Sequence, residues 1–419
     1  MDNVYDIKRL KNLNYILPLK QRLDRDAGIG KLGKVAVIVH LYYMDTVDFY
    51  LEYIEALPAE VDVYFTVSNS ELREILQKKG MDRRKNCRMI EKPNRGRDVS
   101  AFLVACRREI LKYEYVCFLH DKKEKKAICR RDNEIWVRCL WENMVGSRDY
   151  IHNIFLTFHN NPQLGLLVPP LPLSEHCPIS YEDTWYEDFE TTRGLAEKMN
   201  LNCDLDRSKP PITLGTVFWA RVCALRKILE TEWTYEDFDE EPLKNDGTVS
   251  HGVERILAYV AQDAGFETGW AMSDRYAGEY FEYVQLTLKK AFGRLEKSLG
   301  IWTISGLDHY EREAADLMEF AGRHEKLYIY GAGALGKSCL AVLESRHRKP
   351  DAFLVSGSRQ DPEKIGGIPV LTLDRAGVDR TCGIIVCVSE GSRKEVLGMI
   401  REKNTGFSNV YIYMDFNKI

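Results

Sequence analysis

The feature that most restricts this chain is a run of seven residues with a single polar member, Val35-Ala36-Val37-Ile38-Val39-His40-Leu41. A continuous, β-branched run of this kind reads as a strand buried on both faces. A sheet that must be covered twice needs helices between its strands, and the sequence supplies them. Asp45 or Thr46 is placed to cap a helix over 47–57. Residues 61–67 form a second strand, stopped by Ser68-Asn69-Ser70 and followed by a helix over 70–79. Residues 88–91 and 115–119 read as third and fourth strands with a helix over 99–111 between them. A helix over 133–160 and a fifth strand, Leu164–Val168, follow. This alternation predicts an open, mostly parallel α/β sheet with helices on both faces.

Beyond the prolines at 169 and 170, residues 171–211 read as irregular, with one helical stretch near 191–200. A strand over 212–221 runs into a helix over 222–230. An acidic loop over 238–248 then leads into a helix over 249–264. Residues 284–323 read as helical. At Lys326 a second α/β unit begins, in which strands over 327–330, 352–355, 384–388 and 410–413 flank a Gly331-x-Gly333-x-x-Gly336 turn and a helix over 337–345. With 419 residues the chain exceeds one ordinary core. The expected organisation is a lead-in at 1–33, a first domain at 34–285, a helical linker at 286–325 and a smaller Rossmann-like domain at 326–419.

Composition excludes several classes. A net charge of −4 gives no global field for nucleic acid. No apolar run approaches the roughly 18 residues of a membrane span, and the first twenty residues lack a signal-peptide pattern. A cytoplasmic location, with docking at the inner membrane face left open, is the expectation. The eleven cysteines are odd in number and contain no C-x-x-C, which reads as reduced thiols rather than a disulfide framework or zinc site.

In open parallel sheets ligands bind beyond the carboxyl ends of the strands. Those ends are His40-Leu41-Tyr42-Tyr43, residues 66–69, the turn Asn94-Arg95-Gly96-Arg97-Asp98, and His120-Asp121-Lys122-Lys123. In the turn, Gly96 lets the backbone pass close to a ligand and helix amides beyond it favour negative charge. Asp98 can bind a sugar or ribose hydroxyl, or simply cap its own helix. Asp121 is a candidate metal ligand with His120 as a second, a pair suiting manganese better than magnesium. Alternatively Lys122, Lys123 or Arg97 neutralise a diphosphate without metal. Phe218 and Trp219 can stack on a sugar and Arg221 can clamp phosphate, although a core strand explains the same letters. Asp237, Asp239, Glu240, Glu241 and Asp246 are candidate general bases. His251, Glu254 and Arg255 share a helical face. The Gly331–Gly336 turn fits a dinucleotide fingerprint in context, but the acid expected about twenty residues on is replaced by Ser356-Gly357-Ser358, so NAD(P) is not expected.

Five of these segments, in order, resemble the rhamnan synthesis protein F family of glycosyltransferase-like proteins: 37–43, 94–98, 119–123, 215–221 and 246–255. The resemblance covers roughly residues 33–275. It implies a GT-A-type nucleotide-sugar transferase fold and a part in building a rhamnose-containing or related surface glycan. The turn at 94–98 is also similar to the N-x-G segment near the donor nucleotide of family-2 glycosyltransferases, whereas His120-Asp121-Lys122 departs from their acidic pair. On this reading His40, Tyr42, Tyr43, Asn94, Gly96, Arg97, Asp98, His120, Asp121, Lys122 and Lys123 hold the donor. Asp246, or Glu241, is the base, with His251 and Glu254 beside it. Phe218, Trp219, Arg221 and Arg255 line the side of the glycan acceptor, free or lipid-linked. The other reading is a non-catalytic nucleotide-sugar or glycan-binding scaffold of a polysaccharide assembly system.

Overall fold

A computed structural model describes residues 13–24, 33–123, 130–170, 185–203, 205–208, 213, 215–240, 243–244, 246–299, 304–357, 362–403 and 409–413. The chain divides into two units, Met1–Tyr283 and Val284–Ile419.

The first unit is built on the strands β1 (Asn14–Leu17), β2 (Val35–Leu41), β3 (Asp62–Val67), β4 (Cys87–Glu91), β5 (Tyr115–His120), β6 (Leu164–Val168), β7 (Phe218–Arg221) and β8 (Glu267–Ser273). They form one sheet in the order β1-β8-β6-β7-β5-β2-β3-β4. Every pairing is parallel except those of β7, which runs against both β5 and β6. The reason for the unbroken apolar run in β2 is now visible. Val35, Val37, Val39 and Leu41 pack in one core with Tyr50, Trp141 and Phe155, while Ala36 and Ile38 pack in the other with Val99, Phe102 and Val253.

The connectivity locates the crevice. From β2 the chain steps outward to β3 and β4, then crosses back to place β5 on the other side of β2. The strand order therefore reverses between β2 and β5, and the carboxyl ends of those two strands are where such a sheet opens for a ligand.

Several elements differ from expectation. The single helix over 133–160 is two, Arg130–Val145 and Arg148–Asn160. They part at Gly146, where a Cβ would lie 2.4 Å from the Glu142 carbonyl oxygen. Ser147 restarts the second by accepting the Tyr150 N–H at 3.0 Å. The helix after the 94–98 turn widens to π geometry over Ala101–Ala105. Among the described residues of the 212–221 stretch only Phe218–Arg221 is strand, and it is reversed. Within the supposed lead-in, β1 pairs with β8, and neither strand was foreseen. β1 is four residues long and largely solvent-facing, and β8 carries glycine and no Val or Ile, so neither shows a buried β-branched run.

The second unit has β9 (Leu327–Tyr330), β10 (Ala352–Val355), β11 (Lys364–Ile365), β12 (Ile368–Thr372), β13 (Gly383–Val386) and β14 (Val410–Ile412), in the order β11-β12-β10-β9-β13-β14. All but the β11–β12 pair are parallel, giving a small Rossmann-like sheet. Packing accounts for two of its three fingerprint glycines. A Cβ on Gly331 (φ +114°) would lie 2.4 Å from the Cys387 carbonyl oxygen, and one on Gly336 1.9 Å from that of Gly331. Around Gly333 there is open space. Where the ribose-binding acid would stand after β10, Ser356 Oγ meets the Tyr330 hydroxyl at 2.9 Å. Among the described residues no helix is long and apolar enough to cross a membrane.

Candidate functional site

At the reversal point, four residues lie in one row across the sheet: His120 on β5, His40 on β2, Thr66 on β3 and Ile90 on β4. In-register parallel partners share a face, so this row points one way. His40 Nδ1 meets Thr66 Oγ1 at 2.9 Å. Burial, then the charges of Lys92 and His120, hold the His40 imidazole well below its ordinary pKa, in the neutral form.

One residue beyond β5, the Asp121 carboxyl is 6% exposed. Its Oδ2 accepts the N–H groups of Tyr42 at 2.8 Å and Tyr43 at 2.7 Å. Burial raises its pKa to about 6 against the pull of those two amides and of His120. The next residue is pinned as well: the Tyr50 hydroxyl accepts from the Lys122 N–H at 2.9 Å.

The 94–98 turn reaches the same rim. Asp98 Oδ2 is 3.9 Å from His120 Nε2, and Asn94 Nδ2 is 3.5 Å from the Tyr42 hydroxyl. Asp98 makes no capping bond to its helix, whose N-cap is Gly96 at φ +72°. A Cβ on Gly96 would stand 2.6 Å from the Phe238 ring, so the turn needs glycine to close on the 236–240 loop. Arg95 fastens that contact, donating to the Phe238 carbonyl at 3.0 Å and the Glu236 carbonyl at 3.3 Å.

A continuous series of polar contacts leads from this corner to the helix Val249–Asp263. His120 Nε2 lies 2.7 Å from the Gly215 carbonyl oxygen, and the Gly215 N–H donates to Glu254 Oε1 at 2.6 Å. Arg255 Nη1 donates to the same Glu254 oxygen at 2.7 Å, while Nη2 stands 3.1 Å from Asp188 Oδ2. Asp188 Oδ1 accepts the Gly247 N–H at 2.7 Å. Ligand atoms of Asp188, Asp246 and His251 lie within 4.8 Å of one another. Thr248 caps the helix, and its hydroxyl meets His251 Nδ1 at 2.8 Å. Asp246 and His251, both named from sequence, are thus together.

Other assignments change. Phe218 and Trp219 cannot line an acceptor surface, because they are 1% and 0% exposed within the two cores. Arg221 is opposite Tyr115, at the amino end of β5 and away from His120. It is spent on the carbonyls of Leu164 and Phe158 and on the Tyr115 hydroxyl. Arg255 is 4% exposed and bound between two carboxylates, so it is an internal tie rather than an acceptor contact. Burial drives the Glu254 carboxyl up, but Arg255, the Gly215 amide and Lys122 prevail and hold it below its ordinary value. An ionised carboxylate fixed in this way is an anchor, not a base. Glu241 lies outside the described residues.

Two participants were missed. Asp188, 0% exposed, lies within the 171–211 stretch read as irregular; an acid directly before a helix among aromatics was the available signal. Lys92, 4% exposed, was hidden by its place between a short strand and a proline.

The donor set at Asp121 does not suit a divalent cation. One carboxylate oxygen is taken by two amides. Both His120 nitrogens face carbonyl oxygens, at 2.9 Å and 2.7 Å, so neither is turned toward an open coordination position. The Asp188, Asp246, His251 group has harder donors, but Arg255 already neutralises Asp188. A cavity of about 670 Å³ opens elsewhere, beside the amino ends of β3 and β4. Two groups on its wall are already engaged, Arg84 with the Ile54 and Leu57 carbonyls and Asp62 with the Tyr113 hydroxyl. It lies at the wrong end of the sheet for the crevice.

Residues 1–266 match the family described as rhamnan synthesis protein F. The chain belongs to that family. Rhamnan synthesis protein F membership connects it to polysaccharide synthesis. The uncharacterized protein WxcX from two strains of Xanthomonas campestris pv. campestris is 28% identical over 237 residues, which are 55% of this chain. Those residues make up only 31% of WxcX, so the chain spans under a third of that relative's length. A comparison with a solved structure titled "Nitrogenase Cp1 at pH 6.5" gives 10% identity and a TM-score of 0.14 over 94% of this chain and 85% of that one. At that score it carries no argument about the fold.

Proposed function

We propose that the first unit is a glycosyltransferase of the GT-A type, moving rhamnose or a related sugar from a nucleoside-diphosphate donor to a growing surface glycan. The observation that carries this reading is the meeting of the 94–98 turn with the His120–Lys123 corner at the point where strand order reverses. Family membership supports the glycan context. The donor nucleotide would lie across Tyr42, Tyr43 and Asn94, with its diphosphate toward the His120 corner. Asp121 acts by fixing the Tyr42–Tyr43 peptide, and Lys122 stays beside Trp136, its Nζ 3.2 Å from the ring centroid.

Asp246 is the proposed base. It is half-buried, next to His251, and Asp188 beside it is already paired with Arg255. It would take the proton of an acceptor hydroxyl as that oxygen attacks the anomeric carbon and the diphosphate departs on the opposite side, with inversion. Protein cations rather than a metal would meet the developing charge. A lipid-linked acceptor would bring the protein to the inner membrane face, at the periphery.

Asp246→Asn tests the assignment. General-base removal is expected to lower transfer by about 10²–10⁴-fold, with nucleotide-sugar binding unchanged in titrations run with and without manganese. Full transfer by a folded Asp246→Asn protein would remove Asp246 from this role. The scaffold reading has its own support, because two of the acids here are locked by Arg255. Donor binding by the wild type with neither transfer nor donor hydrolysis would favour it.

A further inference from the structure

We propose that the ammonium group of Lys92 is the receptor for the phosphate of the ligand bound in this crevice. This rests on the nucleoside-diphosphate reading above and names a residue for it. Lys92 directly follows β4, and its N–H continues the ladder by donating to the Val67 carbonyl at 3.0 Å. Two residues past Ile90, it keeps to the face of the His120–His40–Thr66–Ile90 row. The side chain is 4% exposed, and Nζ has no hydrogen-bond partner among the described residues.

An ammonium taken from water without a partner is costly, so buried charges are ordinarily paired. Among the described residues the titratable groups around it are Asp98 from the following helix and His40 from β2, with His120 from β5 next in the row. Asp98 favours the ammonium without bonding to it, His40 is neutral, and burial outweighs Asp98 to bring the amine down to about 8. Three other cations of the rim are engaged. Arg95 holds the 236–240 loop, Lys122 sits on Trp136, and Lys123 pairs with Asp45. Asp98 and His120 keep 16% and 12% of their side chains exposed, so the row opens to solvent beside the buried amine. The missing partner is a compact anion delivered by the ligand, which suits a phosphate of a diphosphate.

Calorimetric titration of the full chain with inorganic pyrophosphate, UDP and dTDP tests this, at pH 8 in buffers of different ionisation enthalpy. An anion beside Lys92 restores its charge, so wild type is expected to take up protons on binding. Lys92→Met is expected to bind at least tenfold more weakly, without proton uptake, and to melt no lower than wild type in the absence of ligand. Lys92→Arg, permanently charged, is expected to retain binding and lose the uptake. It serves as the deciding variant if Lys92→Met does not fold. Wild-type binding that Lys92→Met leaves undiminished, or uptake that persists in Lys92→Arg, would overturn the Lys92 assignment and leave the wider reading standing. Failure of all three compounds to bind wild type would overturn both.

Discussion

Asp121 shows how a carboxylate at the rim of a crevice can be spent on the main chain. Its carboxylate joins the ends of β2 and β5 by taking two consecutive amides, those of Tyr42 and Tyr43. Asn can replace it as an acceptor and Ala cannot. Asp121→Ala should therefore cost roughly 1–3 kcal/mol for each stranded amide, whereas Asp121→Asn should be near neutral by chemical denaturation below about pH 4, where the carboxyl is protonated in both states. The pH dependence has a definite sign. The folded carboxyl titrates near 6, above its value in an unfolded chain of about 4. Between those values the native state holds a proton that the unfolded state has released, so wild type should lose stability as pH rises. Asp121→Asn should lack that slope, and equal slopes would refute the burial account. In the sequence Asp121 stood out because it followed a buried strand. Its engagement by backbone amides depends on the loop after another strand, 78 positions away, and no local pattern carries that.

At the level of elements, the alternation of strands and helices was legible wherever strands are buried on both faces. β2, β3, β5 and β6 announce themselves by apolar runs. β1 and β8 do not, and the reversal of β7 cannot be read from its residues, since an antiparallel strand in a covered sheet has the same composition as a parallel one. Phe218 and Trp219 were misassigned because successive residues of this covered strand fill the cores on both sides of the sheet. The helix Val249–Asp263 was legible, and its face was correctly grouped, but Arg255 and Glu254 turned inward to tie the helix to Asp188 and Gly215. Removing the guanidinium leaves the Asp188 carboxylate buried and uncompensated. Arg255→Met should destabilise the protein by about 3–5 kcal/mol. Adding Asp188→Asn should recover part of that loss. Strict additivity of the two substitutions in a double-mutant cycle would show that the pair is not coupled.

For the whole molecule, the division at Tyr283/Val284 gives each unit its own hydrophobic clusters. All the groups assigned to the crevice belong to the first. The helix Asp274–Leu299 crosses the division, and Tyr276 near its start packs on Met272 and Cys139. A fragment ending at residue 299 should therefore fold and bind nucleoside diphosphates with the affinity of the full chain. A loss beyond about tenfold in that fragment would mean that the second unit contributes to binding.

Gly215 is the smallest member of the polar series and the one with the widest reach. Its carbonyl is held by His120 and its amide by Glu254, with the backbone at φ +90° there and at φ +44° in Thr216. The wall that carries His120 and the wall that carries the acids are thus clasped by adjoining peptide groups of one residue. Between the His120 and Glu254 side chains, any displacement of either wall is transmitted through the main chain of one residue. An alanine scan of the crevice would cut this linkage only at its ends, at His120 and Glu254, and variants that change the backbone itself are needed to reach its middle.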